Sequence, residues 1–398
     1  MKLVQPDYKN SLVNLSNSIL KHYGLSTGHP TLKTVDQALE KGYKNVVLLI
    51  LDGLGSSLLR QHLKADSFLN QHHVEDITSV FPATTVAATT SILTGLTPAE
   101  HGWLGWDMYF ESVNRVVTTF FNTVKHANER AAIHHLAKTE LPITTLIDRI
   151  NASGNAKGYW LSPFEEDVLA SAVADDSKAL INLMNYDIKN LDTLFEKIET
   201  LCAEDEQKLI QDKRFIYAYS AEPDYLMHHV GTKNQKVTEL ITYLDEKVAN
   251  LSEKLEDTML IIVADHGHIT AGEYFYLDEY PEIQDMLQRE TAIEPRCAAF
   301  FIKEGMHADF ERLFKQHFGK WFNLYTKQEV KDEQFFGTGK PHEKFNTFLG
   351  DYLAVAISDK SISDYHPSAL MKGIHAGLLE GETVVPLIMV GNLKGSLK

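Results

Sequence analysis

Uninterrupted apolar runs that close on an aspartate constrain this chain more than any other feature. Val46 to Leu51 ends in Asp52-Gly53, Phe215 to Tyr219 leads to Asp224, and Met259 to Ala264 ends in Asp265-His266. A run without alternation belongs to a strand buried on both faces, as in a parallel sheet, and not to one with a wet face. After the first run, Leu54 to Leu63 reads as helical. Before the third, Val237, Leu240, Ile241, Leu244, Val248, Leu251 and Leu255 recur at helical spacing and share one face. Strand, helix, strand in this order predicts an α/β fold, a mostly parallel sheet covered by helices on both faces. Val384 to Val390 is another run of this kind, and Pro386 within it suits an edge or a bulge better than a sheet centre. From about Ile269 to Ala369 the texture changes: aromatics and charges increase, and turn signals fall at Gly305, Gly337 to Pro341 and His366-Pro367. That stretch is expected to be an inserted cap domain, 269–369, between a first core part, 1–268, and a final core part, 370–398.

Composition narrows the partners. Hydrophobic residues make up 44% of the 398 and charged residues 23%, which is ordinary for a folded chain and far from a disordered one. The formal charge of −16, from 54 acidic and 38 basic residues, argues against a nucleic-acid duplex or an anionic membrane and for a small substrate. Acidic residues that ligate cations would account for part of that charge. The two cysteines, Cys202 and Cys297, are far apart and form no disulfide framework, and no apolar stretch reaches the ~18 residues of a membrane span. The expectation is a cytoplasmic protein. The oligomeric state is not legible.

Open α/β sheets bind ligands beyond the carboxyl ends of their strands, so the polar residues after each run are the ones to inspect. These are Asp52, then Asp224 with His228 in AEPDYLMHH, then Asp265-His266 in LIIVADHGH. A single Asp after a strand is more often a helix N-cap or turn former than a ligand. Together they mix carboxylate oxygen with imidazole nitrogen, a donor set suited to zinc and, less often, manganese. The D-x-x-x-H spacing puts Asp224 and His228 on one face of a helix. The segment Phe81-Pro82-Ala83-Thr84-Thr85, followed by small residues as far as Gly95, looks like a turn entering a helix. A threonine there is commonly just the N-cap, but beside a metal ion its hydroxyl becomes a nucleophile.

These residues, in this order, resemble the alkaline phosphatase superfamily, and within it the nucleotide pyrophosphatase/phosphodiesterase-like branch. The resemblance rests on Asp52, on Thr85 ten residues before Gly95 of Thr94-Gly95-Leu96, on Pro223-Asp224 with His228 and Gly231, on Asp265-His266-Gly267, and on His375 in GIHAGLLEG. It spans nearly the whole chain. It implies an alkaline-phosphatase-like α/β/α sandwich and a type I phosphodiesterase or nucleotide pyrophosphatase acting through a phosphothreonine. It further implies two zinc ions (or Mn²⁺): Asp224, His228 and His375 would hold one, and Asp52, Asp265 and His266 the other, with Thr85 bridging to it. Three protein ligands and an open position per ion is the catalytic arrangement. Thr84 is the competing nucleophile; the distance to Gly95 favours Thr85. The implied substrate is a small phosphate ester, with nucleotides among the candidates.

The chain also departs from that branch. Where the branch has an asparagine a few residues after a His-Gly pair, this chain reads His101-Gly102-Trp103-Leu104-Gly105-Trp106-Asp107, so Trp106 stands in its place. The alternatives are therefore a phosphomonoesterase or a mutase-like phosphotransferase on the same core, and, more remotely, a non-catalytic metal-binding relative. A sulfatase is disfavoured, because no C/S-x-P-x-R signature is present. Trp103, Trp106 and Tyr109 could line a substrate pocket, although aromatic clusters are more often core. His268 is a candidate for a group that orients a ligand or protonates the leaving oxygen. His72, His73, His134, His135, His229 and His342 read as ordinary histidines.

Overall fold

The computed structural model describes residues 2–127, 129–162, 178–180, 188–203, 213–367 and 369–393. Its centre is a seven-stranded sheet in the order His73–Thr78, Val384–Asn392, Thr258–Val263, Asn45–Leu51, Arg214–Ser220, Lys157–Ser162, Lys178–Leu180. The five strands from Thr258–Val263 to Lys178–Leu180 pair in parallel, while Val384–Asn392 runs antiparallel to both its neighbours. All seven residues of Asn45–Leu51 are buried, as an unbroken apolar run requires when helices cover both faces. Two groups of helices do this. Leu12–His22 packs against Lys33–Leu39 and Thr85–Thr94, and Gln235–Lys254 packs against Ser56–His62, Phe68–Gln71 and Ile188–Ala203.

Helix Gln235–Lys254 forms where the periodicity placed it. Asn234 caps it by accepting a 3.0 Å hydrogen bond from the Lys236 N–H, and Val237, Ile241, Leu244, Val248 and Leu251 are buried on one face. Val384–Asn392 is an interior strand. Its first half pairs with His73–Thr78, its second half with Thr258–Val263, and the register shifts between Leu387 and Ile388. Pro386 lies opposite Asp76, in the half that has one pairing partner, so its missing N–H costs no ladder bond on the other side.

A second seven-stranded sheet stands beside the first, and every neighbouring pair in it is antiparallel. Its order is Phe322–Thr326, Tyr352–Ala356, Cys297–Phe300, Ala292–Glu294, Asp107–Phe110, Arg115–Thr118, Thr123–Val124. Residues 269–369 supply four of these strands and 107–124 the other three, so the sheet extends in sequence beyond 269–369. Its alternation is that of a sheet with two covered faces. Cys297, Ala299, Leu353 and Val355 join the main core, whereas Ala298, Phe300, Tyr352, Ala354 and Ala356 build a smaller core with Phe310, Phe314 and Phe318 of helix His307–Phe318. Among the described residues no helix is long and apolar enough to cross a membrane.

Candidate functional site

The parallel register brings the strand ends together. Ile50 lies beside both Tyr219 and Val263, so the chain leaves the central strands at one edge of the sheet. Asp52 follows the first strand directly, Asp265 and His266 follow Thr258–Val263, and Asp224 opens the short helix Asp224–Val230. The turn after Asp52 requires glycine. Gly53 has φ +75°, and a Cβ there would lie 2.9 Å from the Asp224 Cβ and 3.0 Å from His268 Cδ2.

Two groups of donors result. In the first, His266 Nε2 lies 3.3 Å from Asp52 Oδ1 and 3.5 Å from Asp265 Oδ2, and Thr85 Oγ lies 3.1 Å from the same nitrogen. In the second, imidazoles surround the Asp224 carboxylate. His228 Nε2 is 3.3 Å from Oδ2, His375 Nε2 is 3.8 Å from Oδ1, and His268 Nε2 is hydrogen-bonded to Oδ1. The rings of His228 and His375 are oriented from behind, with Nδ1 of His228 2.8 Å from the Gly373 carbonyl and Nδ1 of His375 3.1 Å from the Ala83 carbonyl. A ring that donates through Nδ1 keeps its lone pair on Nε2, and both Nε2 atoms face Asp224.

The electrostatics are those of a site built for cations. Burial, with the charges of Asp265 and Asp224 added to it, holds the Asp52 carboxyl well above the ordinary carboxylate range. Burial works the same way at Asp224, but the neighbouring His228 and His268 outweigh it and hold Asp224 well below that range. Burial pushes His268 down to about 4 and holds His375 well below the ordinary imidazole range, which leaves both rings neutral at pH 7. Among the described residues no lysine or arginine forms an ion pair with Asp52, Asp224 or Asp265. Asp52 Oδ1 and Asp265 Oδ2 are buried without a hydrogen-bond partner. Donor atoms of Asp52, Asp265 and His266 lie within 4.8 Å of one another, and so do those of Asp224, His266, His268 and His375. Neutral imidazoles and unpartnered carboxylate oxygens at this spacing fit divalent cations.

Asp52, Thr85, Asp224, His228, Asp265, His266, His268 and His375 lie together at this edge of the sheet, but the grouping differs from the expected one: His266 stands in both compact groups. His268 stands in the compact group around Asp224, and His228 flanks the other oxygen of that carboxylate. The threonines separate clearly. Helix Thr85–Thr94 begins at Thr85, with Thr84 at the N-cap position but without a side-chain cap; Thr84 instead donates a 2.7 Å hydrogen bond to Glu294 Oε1. Of the three aromatics, only Trp106 borders the site. Trp103 is buried with Nε1 donating to the Leu141 carbonyl, and Tyr109 lies under the Arg289 guanidinium. Trp106 is 37% exposed, with Phe120 and Phe121 at its edges. It lines a cleft of about 2060 Å³ shared with Thr85, Asp224, His228 and His375. His72, His73, His134, His135, His229 and His342 belong to neither donor group.

Two residues at the site were not legible as such. Tyr219, near the end of its strand, donates to Asp52 Oδ2, and Glu294 in the second sheet accepts from Thr84 and from the Trp106 N–H. No motif marks either one, since each reaches the site through strand pairing and not through spacing along the chain.

Comparison with known proteins gives the family and the fold. The family model for type I phosphodiesterase/nucleotide pyrophosphatase matches residues 46–366. No curated protein matches the sequence. Human ectonucleotide pyrophosphatase/phosphodiesterase 5 superimposes with a TM-score of 0.64 at 18% identity, covering 88% of this chain and 90% of that one. The murine enzyme, solved as an inactive Thr→Ala variant in complex with AMP, gives 0.61 at 18% identity over 87% of both chains. Phosphonoacetate hydrolase from Sinorhizobium meliloti 1021, in complex with phosphonoformate, gives 0.64 at 15% identity over 89% of this chain and 92% of that one. At such identities the likeness is one of fold, an alkaline-phosphatase-like α/β core with a mostly parallel sheet. The match over residues 46–366 goes further: the chain belongs to the type I phosphodiesterase/nucleotide pyrophosphatase family of the alkaline phosphatase superfamily, a family of phosphoester hydrolases.

Proposed function

We propose that this protein is a metal-dependent phosphodiesterase in which Thr85 is the nucleophile and the substrate is a small phosphodiester or a nucleotide pyrophosphate. The observation that carries the reading is the position of the Thr85 hydroxyl. It lies at the first residue of a ten-residue helix, on the cleft, 3.1 Å from His266 Nε2 and beside two groups of candidate metal-donor atoms. Thr84 is occupied by Glu294, which supports Thr85 over its neighbour.

Asp52, Asp265 and His266 would hold one divalent ion, zinc or manganese, with Thr85 as a further ligand. Asp224, His228 and His375 would hold the other. Ions bound there supply Lewis-acid chemistry, a lower pKa for a nearby hydroxyl and positive charge against the phosphoryl oxygens. The residues of the chain do the rest. Thr85 Oγ forms a bond to phosphorus as the ester oxygen departs, and its proton passes to water in the cleft. Water then cleaves the phosphothreonine and restores the hydroxyl. The N–H groups at the start of helix Thr85–Thr94 have no partners within the helix and favour negative charge in front of them. Tyr219 positions Asp52, and His268 positions Asp224 through its hydrogen bond to Oδ1. Trp106 would flank the departing group. The inactivity of the murine Thr→Ala variant supports a threonine nucleophile, and its bound AMP supports nucleotides as ligands.

Trp106, in place of the asparagine of the diesterase branch, keeps a phosphomonoesterase as the second reading. Both are tested by hydrolysis of bis-p-nitrophenyl phosphate and p-nitrophenyl phosphate by metal-stripped protein, with and without added Zn²⁺ or Mn²⁺, beside Thr85→Ala. The expected result is turnover of the diester that needs the metal and falls at least on the order of 10³-fold in the variant. Retention of activity in Thr85→Ala would sink the nucleophile assignment, and preference for the monoester would favour the second reading.

A further inference from the structure

The second sheet brings two acidic residues, Asp107 and Glu294, to the cleft, and nothing in the mechanism above uses Glu294. Glu294 ends the strand Ala292–Glu294 and lines the same cleft as Thr85, Asp224 and His228. Its Oε1 accepts two hydrogen bonds, from Thr84 Oγ at 2.7 Å and from the Trp106 N–H at 2.8 Å. Both donors are neutral. Among the described residues no lysine, arginine or histidine forms an ion pair with Glu294; the charged groups that act on it are Asp107, which favours its protonated form, and His228, which favours its ionised form.

Its placement is held against the preference of the backbone. The preceding residue, Ile293, has φ +76°, a conformation that a β-branched side chain rarely adopts. The loop before the opposing strand yields space for it, since a Cβ on Gly105 would lie 2.7 Å from the Ile293 carbonyl oxygen. Ile293 is also the residue through which the two halves of the second sheet are joined, by its pairing with Asp107. Strained backbone persists where the surroundings over-determine it, and such places cluster at ligand clamps and active sites. Here the strained residue is the one that presents Glu294.

We propose that Glu294 is a specificity-determining residue: its carboxylate, fixed beside the nucleophile's helix, disfavours a doubly charged phosphoryl group and so selects phosphodiesters over phosphomonoesters. The inference rests on the phosphoester hydrolase reading and narrows its substrate class. Above neutral pH a phosphomonoester carries nearly two negative charges, its second pKa being about 6, whereas a diester carries one. Burial pushes the Glu294 carboxyl up to about 7, so at pH 8 it is ionised and faces either one charge or two. A unit charge in a partly buried site interacts with a second unit charge a few ångströms away strongly enough to change a binding ratio by about tenfold or more. Trp106, whose N–H is tied to Glu294, then stands where an asparagine would offer a donor, and the carboxylate performs the selection by repulsion.

The test is Glu294→Gln in the full chain loaded with Zn²⁺ at pH 8. A glutamine carbonyl can still accept from Thr84 and Trp106, so the substitution removes charge and keeps both hydrogen bonds. Two readouts are taken: kcat/KM for bis-p-nitrophenyl phosphate against p-nitrophenyl phosphate, and the Kd of inorganic phosphate against dimethyl phosphate by calorimetry. The expected result is a diester-to-monoester ratio that falls by about tenfold or more, and inorganic phosphate that binds about tenfold more tightly while dimethyl phosphate changes little. Glu294→Asp, which keeps the charge, should retain the wild-type ratio. Should Glu294→Gln melt below the assay temperature, Glu294→Ala makes the same charge change. A ratio and a phosphate affinity both within threefold of wild type overturn the proposal. If neither ester is turned over, the hydrolase reading fails by itself, and the phosphate affinities alone decide whether Glu294 senses charge.

Discussion

The two sheets have the same number of strands and opposite logic. In the first, parallel strands are buried on both faces and side by side in register, so their carboxyl ends deliver Asp52, Asp224 and Asp265-His266 to one edge. In the second, antiparallel strands put one face into the main core and the other into a small phenylalanine-rich core, and the sheet borders the cleft with Glu294, with Asp107 and with the loop bearing Trp106. The difference teaches a division of labour. A parallel sheet collects chemistry at one edge because all its strands end there. An antiparallel sheet ends its strands alternately at both edges and serves better as a wall.

The sharpest way to break this division is to disturb one residue that the first sheet positions and one that packs on the second, and compare. Asp224→Asn should lower kcat/KM for bis-p-nitrophenyl phosphate at least on the order of 10²–10³-fold, the scale of losing one electrostatic stabiliser, with thermal melting showing a folded chain. A loss below tenfold would mean that the first sheet does not hold the chemistry. Phe314→Ala empties part of the small core of the second sheet and should cost about 3–5 kcal/mol of stability by denaturant titration, while kcat/KM below the transition stays within a few-fold of wild type. Activity lost together with stability would show that the wall is part of the machine. Trp106→Ala tests the wall where it meets the substrate: KM for an aromatic ester should rise up to about tenfold with kcat nearly unchanged. A fall in kcat alone would move Trp106 into the reacting centre.

The smallest effect concerns pH. In metal-free protein the Glu294 carboxyl is pushed up from the usual 4.5 to about 7 by burial, so the folded chain holds this proton more tightly than the unfolded chain. Its contribution to stability is complete below about 4.5 and is lost as pH rises through about 7. Glu294→Gln has no such proton to lose. Relative to wild type its Tm should therefore climb between pH 5 and pH 8, on the order of 2 °C, as read by calorimetry in chelator. Parallel Tm curves across that range would show that the carboxyl is not held as the second sheet places it.

Legibility followed the same division. The core strands, the helix Gln235–Lys254 and the donors that follow each strand could be read because burial on both faces leaves an unbroken apolar run, and the residue that ends it is conspicuous. Pro386 was legible as a disturbance, and it accompanies a register shift inside the sheet, not an edge. The second sheet was hidden because its strands are two to five residues long and come from two distant stretches of chain, so 107–124 gave no sign of joining 292–356. Tyr219 and Glu294 were hidden for the same reason: each meets its partner through pairing between strands.

What the sequence by itself determined is the parallel core and the order of its donors, because hydrophobic burial and strand polarity act along the chain and leave their period in it. The engagement of Thr84 by Glu294, the entry of His268 into the group around Asp224, and the place of the Glu294 carboxylate on the cleft were decided only by the tertiary structure. Each depends on which side chains meet across elements far apart in sequence, to within a few ångströms, and local periodicity carries no record of such distances.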